Sequence, residues 1–399
     1  MAGNAKSQME KTALLLGVGY CAKALIPHLK SAGYRITGTC RNAAKTEDLS
    51  QVYGIDVVAF DGTLSTALLN AFRQARIIIS SIPPRDDGSD PVLSAFENPP
   101  ETQADWIAYL SATSVYGDRS GQWVFEDQPL CPTTPRGINR VKAERAWMES
   151  DLPVHVFRLA GIYGPYIIDE SRNPFRRLKS GKARAVIKPG HVVNRIHVGD
   201  IAAAIMASIK KPDPVTVYNL ADDRPAPPQD VLNFAADLLD IERPPVVAHD
   251  DARLPDMARS FYTETKCVSN QRAKERLGWV PKYGTYRQGL MSIWKQDNDM
   301  PGAVILAGHV TAPETDVSAI LAEMQNHIDL THAESGCIRF DLWQDQNIPA
   351  RLNIIGIFEN PKAAEFHRNR MKDTKWKTVT KNIMRDYDTI GIGKLGLSP

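Results

Sequence analysis

A short stretch in the first half of the chain places small hydroxyl residues directly after an apolar run. Residues 110–118 read LSATSVYGD, so Thr113, Ser114 and Tyr116 follow the predicted end of a strand. Hydroxyl groups in such a place can polarise a substrate oxygen and exchange a proton with it. Packing of the tyrosine in a turn is the alternative interpretation, and the residues alone leave both open.

A glycine pattern near the N-terminus predicts a dinucleotide site. Gly17, Gly19 and Ala22 occupy the positions of G-x-G-x-x-G/A, after the strand-like run TALLLG and at the start of a helical pattern. The first glycine permits a tight turn, the second lets the backbone approach a pyrophosphate, and the third small residue lets the helix pack closely. The phosphates would lie at the helix N-terminus, where free N–H groups and the dipole favour negative charge.

The end of the second predicted strand favours NADP over NAD. An NAD site would place an acid on the ribose hydroxyls about twenty residues after the glycines. The sequence there reads GTCRN, with Arg41 behind small residues and Lys45 one helical turn later. A guanidinium can bind a 2′-phosphate in bidentate fashion, although a solvated arginine without a ligand is the alternative. The predicted cofactor-binding set is completed by Tyr20, Cys21, Asp61, Ser81, Ser111 and Lys142.

These residues need a parallel sheet with helices on both faces to position them. In the first half, apolar runs such as YRITGTC and ARIIIS alternate with helical patterns, which is typical of a Rossmann-type, doubly wound α/β fold. Residues 212–300 are rich in proline and helix and form a predicted small substrate subdomain. After the polar segment KQDNDMPG (295–302), the order βαββαβ indicates a ferredoxin-like α+β domain. We therefore predict domains at 1–300 and 301–399.

The composition excludes several classes of protein. Of 399 residues, 43% are hydrophobic, and the net charge of +2 provides no broad field for nucleic acid or membrane. No apolar run approaches the roughly 20 residues that span a bilayer, and MAGNAKSQMEK lacks the apolar core of a signal peptide. Five dispersed cysteines suit buried thiols in a reducing compartment. We expect a cytoplasmic protein with a small-molecule substrate, and no metal, nucleic-acid or membrane partner.

Residues 11 to about 295 resemble the extended and atypical short-chain dehydrogenase/reductases, the superfamily of NAD-dependent epimerases and dehydratases. Besides the glycine turn and LSATSVYGD, the matching segments are VFRLAGIYGP (156–165), NRIHVGDIAAAI (194–205), VYNLADD (217–223) and SNQRAKERLGWVP (269–281). The resemblance implies the fold and a nicotinamide cofactor, and it leaves the substrate open.

The same resemblance implies a Tyr-x-x-x-Lys pair and a serine or threonine, and this chain departs from both. Lys142 in RGINRVKAE matches the lysine, but Ile138 stands four residues earlier, and the hydroxyl position falls on Ala112. An isoleucine cannot exchange the proton that accompanies hydride transfer, a contribution typically worth about 10²–10⁴-fold. Thr113, Ser114 or Tyr116 could replace the missing hydroxyls, and Lys142 could still bind cofactor ribose.

Residues 303–393 resemble an antibiotic biosynthesis monooxygenase (ABM) domain, through ESGCIRFDLWQD (334–345), RLNIIGIFEN (351–360) and AAEFHRNR (363–370). The resemblance implies oxidation of quinols or polycyclic phenols by molecular oxygen, with no cofactor in this domain. Haem degradation, found in relatives, is disfavoured, because Phe358 stands in place of their tryptophan and Gly308 in place of their asparagine.

The C-terminal segment contains four of the nine histidines, His309, His327, His332 and His367. A metal site needs three or four converging ligands, and a spacing of five turns His327 and His332 off one helical face. Surface or core positions explain these residues better than a metal. His367 alone is kept as a candidate catalytic residue.

Three functions remain open. The first is an NADP(H)-binding oxidoreductase fused to an oxygenase-like domain, acting on a small phenolic or quinone-like molecule. The second is a non-catalytic NADP(H)-binding module that controls assembly or a partner, which the missing tyrosine and hydroxyl favour. A nucleotide-sugar epimerase or dehydratase is third, because its chemistry depends on that tyrosine.

The strand RLNIIGIF predicts a homodimer held by the C-terminal domain. Leu352, Ile354 and Phe358 lie on one face and Ile355 and Ile357 on the other, whereas a strand with one wet face would alternate apolar and polar residues. Two helices can cover only one side of so small a sheet. An identical sheet related by a two-fold axis is the commonest cover for the second side, and ABM-like domains pair in this way, as a dimeric α+β barrel.

Overall fold

The computed structural model describes residues 10–96, 101–165, 172–252, 254, 255, 259 and 261–392. Backbone contacts divide the chain into two compact units. Unit 1 comprises Met1–Arg172, Val186–Pro228 and Val247–Gly284, and unit 2 comprises Asn173–Ala185, Gln229–Val246 and Thr285–Pro399. The predicted domain boundary at 300/301 falls inside unit 2 and stays a prediction.

Unit 1 is built on seven parallel strands. They are β1 (Thr12–Leu16), β2 (Arg35–Cys40), β3 (Asp56–Ala59), β4 (Ile77–Ser80), β5 (Trp106–Ala112), β7 (Val154–Leu159) and β11 (Thr216–Leu220). Their order across the sheet is β11-β7-β5-β4-β1-β2-β3, with every pairing parallel. The predicted doubly wound α/β fold is therefore confirmed.

The strands of this sheet are apolar on both faces because helices cover both. Leu15 packs on one side with Leu25 of the first helix, while Leu14 packs on the other with Phe72 and Trp147. Parallel strands buried in this way read as continuous apolar runs. The helices are α1 (Tyr20–Ser31), α2 (Thr46–Tyr53), α3 (Thr66–Gln74), α4 (Pro135–Met148), α6 (Val198–Lys210) and α8 (Gln271–Leu277).

Shorter strands pair outside the large sheets. They are β6 (Trp123–Val124) with β13 (Cys267–Val268), β8 (Gly161–Tyr163) with β10 (Arg195–His197), and β9 (Ala185–Ile187) with β12 (Val246–Ala248). In the part of the chain that the structure describes, no helix combines the length and apolar character needed to cross a membrane.

Unit 2 contains an antiparallel sheet of four strands, β14 (Val304–Thr311), β15 (Cys337–Gln344), β16 (Arg351–Phe358) and β17 (Met384–Ile390), in the order β15-β16-β14-β17. One face packs through Leu352, Phe358, Ile320 and Phe340. The helices of unit 2 are α5 (Pro174–Lys179), α7 (Pro228–Leu239), α9 (Tyr286–Asp297), α10 (Glu314–His332), α11 (Pro361–Met371) and α12 (Lys375–Val379). The predicted βαββαβ order is confirmed, with α12 as a short addition.

The second face of this sheet is buried by the chain itself. Ile305, Ile355 and Ile357 are 0%, 2% and 1% exposed, although none belongs to the core on the first face. Helix α9 contacts β14 and β17. The guanidinium of Arg287 in α9 donates to the carbonyl of Asp386 in β17 at 3.0 Å and to its carboxylate at 2.8 Å.

A second contact ties the sheet to helix α7. Arg339 of β15 donates to the carbonyls of Asp237 and Leu238 at 3.0 and 3.2 Å. The expectation that this face needs a partner chain is therefore wrong, because helices that precede the C-terminal domain cover it. A homodimer stays a prediction, and a C-terminal interface would have to use another surface.

Candidate functional sites

The glycine turn after β1 has the geometry that its sequence predicts. Gly17 has φ +92, a conformation that favours glycine, and an added Cβ would lie 3.0 Å from the Ser81 hydroxyl. The Gly17 N–H donates to the Thr39 hydroxyl at 2.8 Å, and the Ser81 hydroxyl donates to the Gly17 carbonyl at 2.9 Å. The predicted residue Ser81 thus stabilises the turn. Thr39 was missed, although its place at the end of β2 puts it beside β1.

Gly19 leaves room for a ligand at the start of α1. It is the N-cap residue and no side chain caps the helix, and among the described residues no atom lies within 4 Å of a Cβ added there. The first N–H groups of α1 therefore face an open space, which fits a pyrophosphate. Tyr20, Cys21 and Ala22 begin the helix and are buried. Burial raises the pKa of the Cys21 thiol to about 11, so this side chain packs as a neutral thiol.

The expected ribose end of the site is basic and exposed. Arg41 follows β2, is exposed, and forms no hydrogen bond or ion pair with the described residues. Lys45 ends a short 3₁₀ turn that Asn42 caps. Asp61 is also exposed and accepts from the Thr63 N–H at 3.0 Å, and hydrogen bonds from Thr63 lower its pKa. Arg41 and Lys45 are therefore available for a phosphate.

Ser111 and Tyr116 belong to a buried polar network. The Ser111 hydroxyl donates to Glu144 at 2.7 Å, and Glu144 forms an ion pair with Arg158. Arg158 donates to the Tyr116 hydroxyl at 2.8 Å, which in turn donates to Asn219 at 2.7 Å. Tyr116 is 0% exposed, and burial raises its pKa to about 12. This geometry favours the packing interpretation of Tyr116, and its catalytic role stays a prediction.

The structure places Lys142 against the segment that follows β4. Ile138 is 42% exposed and Lys142 is exposed on the same outer side of α4, with its ammonium 3.1 Å from the Asp87 carbonyl. Arg140 instead faces β5, where its guanidinium donates to the Tyr109 hydroxyl at 3.0 Å and the Leu110 carbonyl at 3.2 Å. The predicted binding of Lys142 to the cofactor therefore stays a prediction.

Thr113 remains beside the end of β5. It begins a 3₁₀ turn (Thr113–Tyr116) and is partly exposed. Among the predicted hydroxyl residues of this stretch, it is accessible where Ser111 and Tyr116 are buried. Its role as a catalytic residue stays a prediction.

A histidine–carboxylate pair lies inside unit 2. Nδ1 of His367 in α11 lies 3.0 Å from the carboxylate of Glu334, and Arg370, one turn later, also binds that carboxylate. Both His367 and Glu334 are buried. Burial lowers the pKa of His367, against the opposing effect of Glu334. A neutral ring that donates from Nδ1 to Glu334 keeps a lone pair on Nε2, so this ring can accept a proton.

Aromatic rings surround this pair. The His327 ring stacks on Trp376 with centroids 4.4 Å apart and an angle of 4°, and the His367 ring lies 5.3 Å from Phe340 and 5.0 Å from Phe358. Burial lowers the pKa of His327 to about 3. Sequence reasoning selected His367, gave His327 a surface or core position, and missed Glu334 and Arg370. The spacing of three between His367 and Arg370 was the available signal, because it places both on one helix face.

The other two histidines lie apart from this cluster. Nε2 of His332 lies 2.7 Å from the Phe340 carbonyl, and Nε2 of His309 lies 3.5 Å from the Asp386 carboxylate. Within the described ranges, no group of three or more His, Cys, Asp or Glu residues could hold a metal.

The fold and the glycine turn define unit 1 as a Rossmann-type domain, and the C-terminal sheet belongs to an ABM domain. Residues 303–376 match the family model "Antibiotic biosynthesis monooxygenase". A solved structure, a functionally unknown conserved protein from Silicibacter pomeroyi DSS, is 44% identical, with a TM-score of 0.65 over 72% of this chain and 99% of that one. The chain belongs to the same family as that protein.

Two curated relatives each match more than half of the chain. Protein YeeZ of Escherichia coli (strain K12) is 28% identical over 225 residues, 53% of this chain and 77% of its own. The 3-diazoavenalumate denitrifying reductase of Streptomyces sp is 23% identical over 299 residues, 68% of this chain and 96% of its own. The Bordetella bronchiseptica enzyme WbmG, solved with NAD and UDP, is 21% identical, with a TM-score of 0.58 over 72% of this chain and 96% of that one. This likeness to WbmG shows the fold alone.

Proposed function

We propose that this protein is an NADP(H)-binding oxidoreductase whose ABM domain oxidises a small phenolic or quinol-type molecule with molecular oxygen. The glycine turn with its open helix N-terminus supports the cofactor. Arg41, which has no ion-pair partner among the described residues, supports NADP as the form bound. The relative named as a reductase and the ABM match support redox chemistry in the two parts of the chain. A reductase domain could supply the quinol that the second domain oxidises.

The buried pair of His367 and Glu334 carries the oxidative half of the proposal. Nε2 of His367 would take the proton of a phenolic hydroxyl, and the Glu334 carboxylate would stabilise the imidazolium that forms. The phenolate left behind is richer in electrons than the phenol and is more readily oxidised by O₂, which is the electron acceptor. Phe340, Phe358 and the stacked pair of His327 and Trp376 supply flat apolar surfaces for an aromatic substrate.

A specific observation favours a second candidate, a non-catalytic NADP(H)-binding module. Ala112 carries no hydroxyl, and the Tyr116 hydroxyl is occupied by Arg158 and Asn219. The residues of α4 that bind β5 are Arg140 and Glu144, and Glu144 is paired with Arg158. A guanidinium remains protonated and cannot donate a proton to a substrate. The same reasoning disfavours a nucleotide-sugar epimerase, because Ile138 stands where that chemistry depends on a tyrosine.

The proposal also specifies the class of substrate, the compartment and the oligomeric state. The substrate is a small molecule, the compartment is the cytoplasm, and the chain forms a homodimer, as the sequence predicts. The ABM match supports the homodimer, while the covered face of the C-terminal sheet directs any C-terminal interface to another surface.

Oxygen uptake by the full-length protein with a panel of hydroquinones tests the oxidative half. His367→Gln and Glu334→Gln are expected to lower kcat by about 10²-fold or more, because proton transfer to a positioned base contributes on this scale. His332→Gln is the matched control, because it removes a ring of the same domain that binds only the Phe340 carbonyl.

The pH profile separates a base from a structural residue. Activity requires neutral His367, whose pKa lies below its ordinary 6.5, so kcat should fall only below that pH. Glu334→Gln removes a group that raises this pKa and should move the acidic limb of the residual activity to lower pH. Unchanged oxygen uptake in His367→Gln would contradict the proposal.

A further inference from the structure

Two buried polar atoms of unit 2 have no hydrogen-bond partner among the described residues, Nδ1 of His327 and Nη1 of Arg370. His327 lies in α10 and is 2% exposed, and Arg370 lies in α11, where it binds Glu334 beside His367. Nearly all buried polar groups of folded proteins are paired, because burial without a partner costs free energy. Two exceptions in one unit therefore indicate that a further molecule binds there.

Among the described residues, aromatic contacts fix the ring of His327. It stacks on Trp376 with centroids 4.4 Å apart and an angle of 4°, and it meets the Phe340 ring at 5.3 Å and 87°. In neither contact does Nδ1 form a hydrogen bond. An apolar ring of the same shape would fill this space at a lower cost, since it would bury no unpaired polar atom. The polar edge of His327 therefore indicates a function beyond packing.

The guanidinium of Arg370 is held by two of its three nitrogens. Nε binds the carboxylate of Glu334, and Nη2 donates to the Thr331 hydroxyl at 2.8 Å. That hydroxyl donates in turn to the backbone carbonyl of His327 at 2.7 Å, which joins Arg370 to the turn of α10 that carries His327. A guanidinium has N–H donors and no acceptor, so Nη1 can bind only an acceptor such as an oxygen atom.

The two atoms lie close to the base of the proposed oxidation. The rings of His327 and His367 are 5.7 Å apart between centroids, and Arg370 follows His367 by one helical turn in α11. The carboxylate of Glu323, one turn before His327 in α10, is bound by Lys375 at 3.2 Å, so it leaves Nδ1 open. A ligand that reaches His367 can therefore place a second polar group near His327 and Arg370.

We propose that Nδ1 of His327 and Nη1 of Arg370 bind a second oxygen atom of the aromatic molecule whose first hydroxyl faces His367. A neutral imidazole nitrogen accepts from a hydroxyl or donates to a carbonyl, depending on the tautomer, and Nη1 donates to either oxygen. The inference rests on the proposed function, and it selects rings with two oxygen atoms over rings with a single phenolic hydroxyl. His327 is thus a specificity-determining residue.

Calorimetric titration of the full-length protein in the absence of oxygen tests the proposal. The probes are two pairs of matched shape, hydroquinone with 4-methylphenol and catechol with 2-methylphenol, in which a methyl group replaces the second hydroxyl. An apolar cavity favours the methyl compounds. We expect instead that one diol binds more tightly than its methyl partner by about tenfold or more, because the methyl compound leaves a buried donor unsatisfied.

Two variants and a control locate this preference. His327→Phe keeps the ring surface and should reverse the preference in favour of the methyl compound. Arg370→Lys, whose ammonium can still bind Glu334 but which lacks Nη1, should weaken it. His332→Phe is the matched control on the same helix, because Nε2 of His332 lies 2.7 Å from the Phe340 carbonyl, and it should retain the preference.

The outcomes separate this inference from the proposed function. The diol that is preferred, hydroquinone or catechol, identifies the spacing of the two oxygen atoms. Equal, weaker or undetectable binding of both diols by the unmutated protein, or a preference that survives in His327→Phe, overturns the inference. A preference lost in His327→Phe without oxygen uptake supports the inference and refutes the proposed oxidation. Oxygen uptake without such a preference has the opposite meaning.

Discussion

At the scale of single residues, burial decides which ionisable groups remain neutral. His327 is 2% exposed and stacks on Trp376, and desolvation holds its pKa at about 3. The unfolded chain takes up a proton on this residue below about pH 6.5, whereas the folded chain does not. The contribution of His327 to the free energy of unfolding is therefore present above pH 6.5 and is lost as the pH falls toward 3.

His327→Phe keeps the stack on Trp376 and removes the titration. The stability of the variant relative to the unmutated protein should therefore rise on acidification, by up to about 2 kcal/mol between pH 7 and pH 5. Urea unfolding midpoints at the two pH values measure this difference. A difference that is the same at pH 7 and pH 5 would show that the ring is protonated in the folded chain.

Arg41 tests the choice of cofactor. Its guanidinium is exposed and has no ion-pair partner among the described residues, so Arg41→Ala should cost no internal contact. We expect the unmutated protein to bind NADP more tightly than NAD, and the variant to lose at least tenfold in affinity for NADP while its affinity for NAD stays nearly constant. Fluorescence titration with both cofactors measures this. Equal affinities for NADP and NAD in the unmutated protein would contradict the assignment of NADP as the cofactor.

At the scale of elements, α4 shows which side chains a helix turns inward for reasons that its sequence does not reveal. The sequence predicted the helix, and Lys142 fitted the expected spacing from Ile138. The hydrophobic pattern of α4 is weak, because its inward face carries Gly137, Arg140 and Glu144 together with Trp147. Glu144 and Arg140 are inward because buried partners satisfy them, and such partners come from distant strands. Periodicity of apolar residues could not show this.

Strand β16 shows the opposite case. Its apolar residues on both faces predicted correctly that both faces are covered. The sequence analysis predicted that a partner chain covers the second face, and this was wrong. The apolar pattern of one strand indicates that a face is buried, and it does not indicate which element buries it. Helices α7 and α9, which precede the ABM domain in the chain, provide that cover.

At the scale of the whole molecule, this arrangement makes the ABM sheet part of a larger fold. Ile357 is 1% exposed in a single chain, so Ile357→Asp would bury an unpaired charge and should lower the free energy of unfolding by about 3 kcal/mol or more. Ile338→Asp, at a site of the same sheet that is 44% exposed, should cost far less. Denaturant unfolding and light scattering are measured on both variants.

The same variants distinguish an internal face from a dimer interface. If Ile357→Asp is as stable as the unmutated chain and only changes a dimer into a monomer, the face binds a partner chain and the internal cover is refuted. A loss of stability without a change in oligomeric state supports the internal cover.

The sequence by itself determined the parallel sheet, the glycine turn, the order of the C-terminal elements and the presence of His367. These features depend on residues that are close in the chain, such as Gly17 and Gly19, or on the period of apolar residues along one element. Backbone preference and local burial fix them before any long-range contact forms.

Only the tertiary structure decided which side chains meet. The pairing of His367 with Glu334, across 33 residues, and that of Tyr116 with Arg158, across 42, join elements distant in sequence. The inward direction of Arg140 follows from the packing of α4 on β5. Such contacts depend on how the elements pack, and a buried charge is tolerated only where packing supplies its partner.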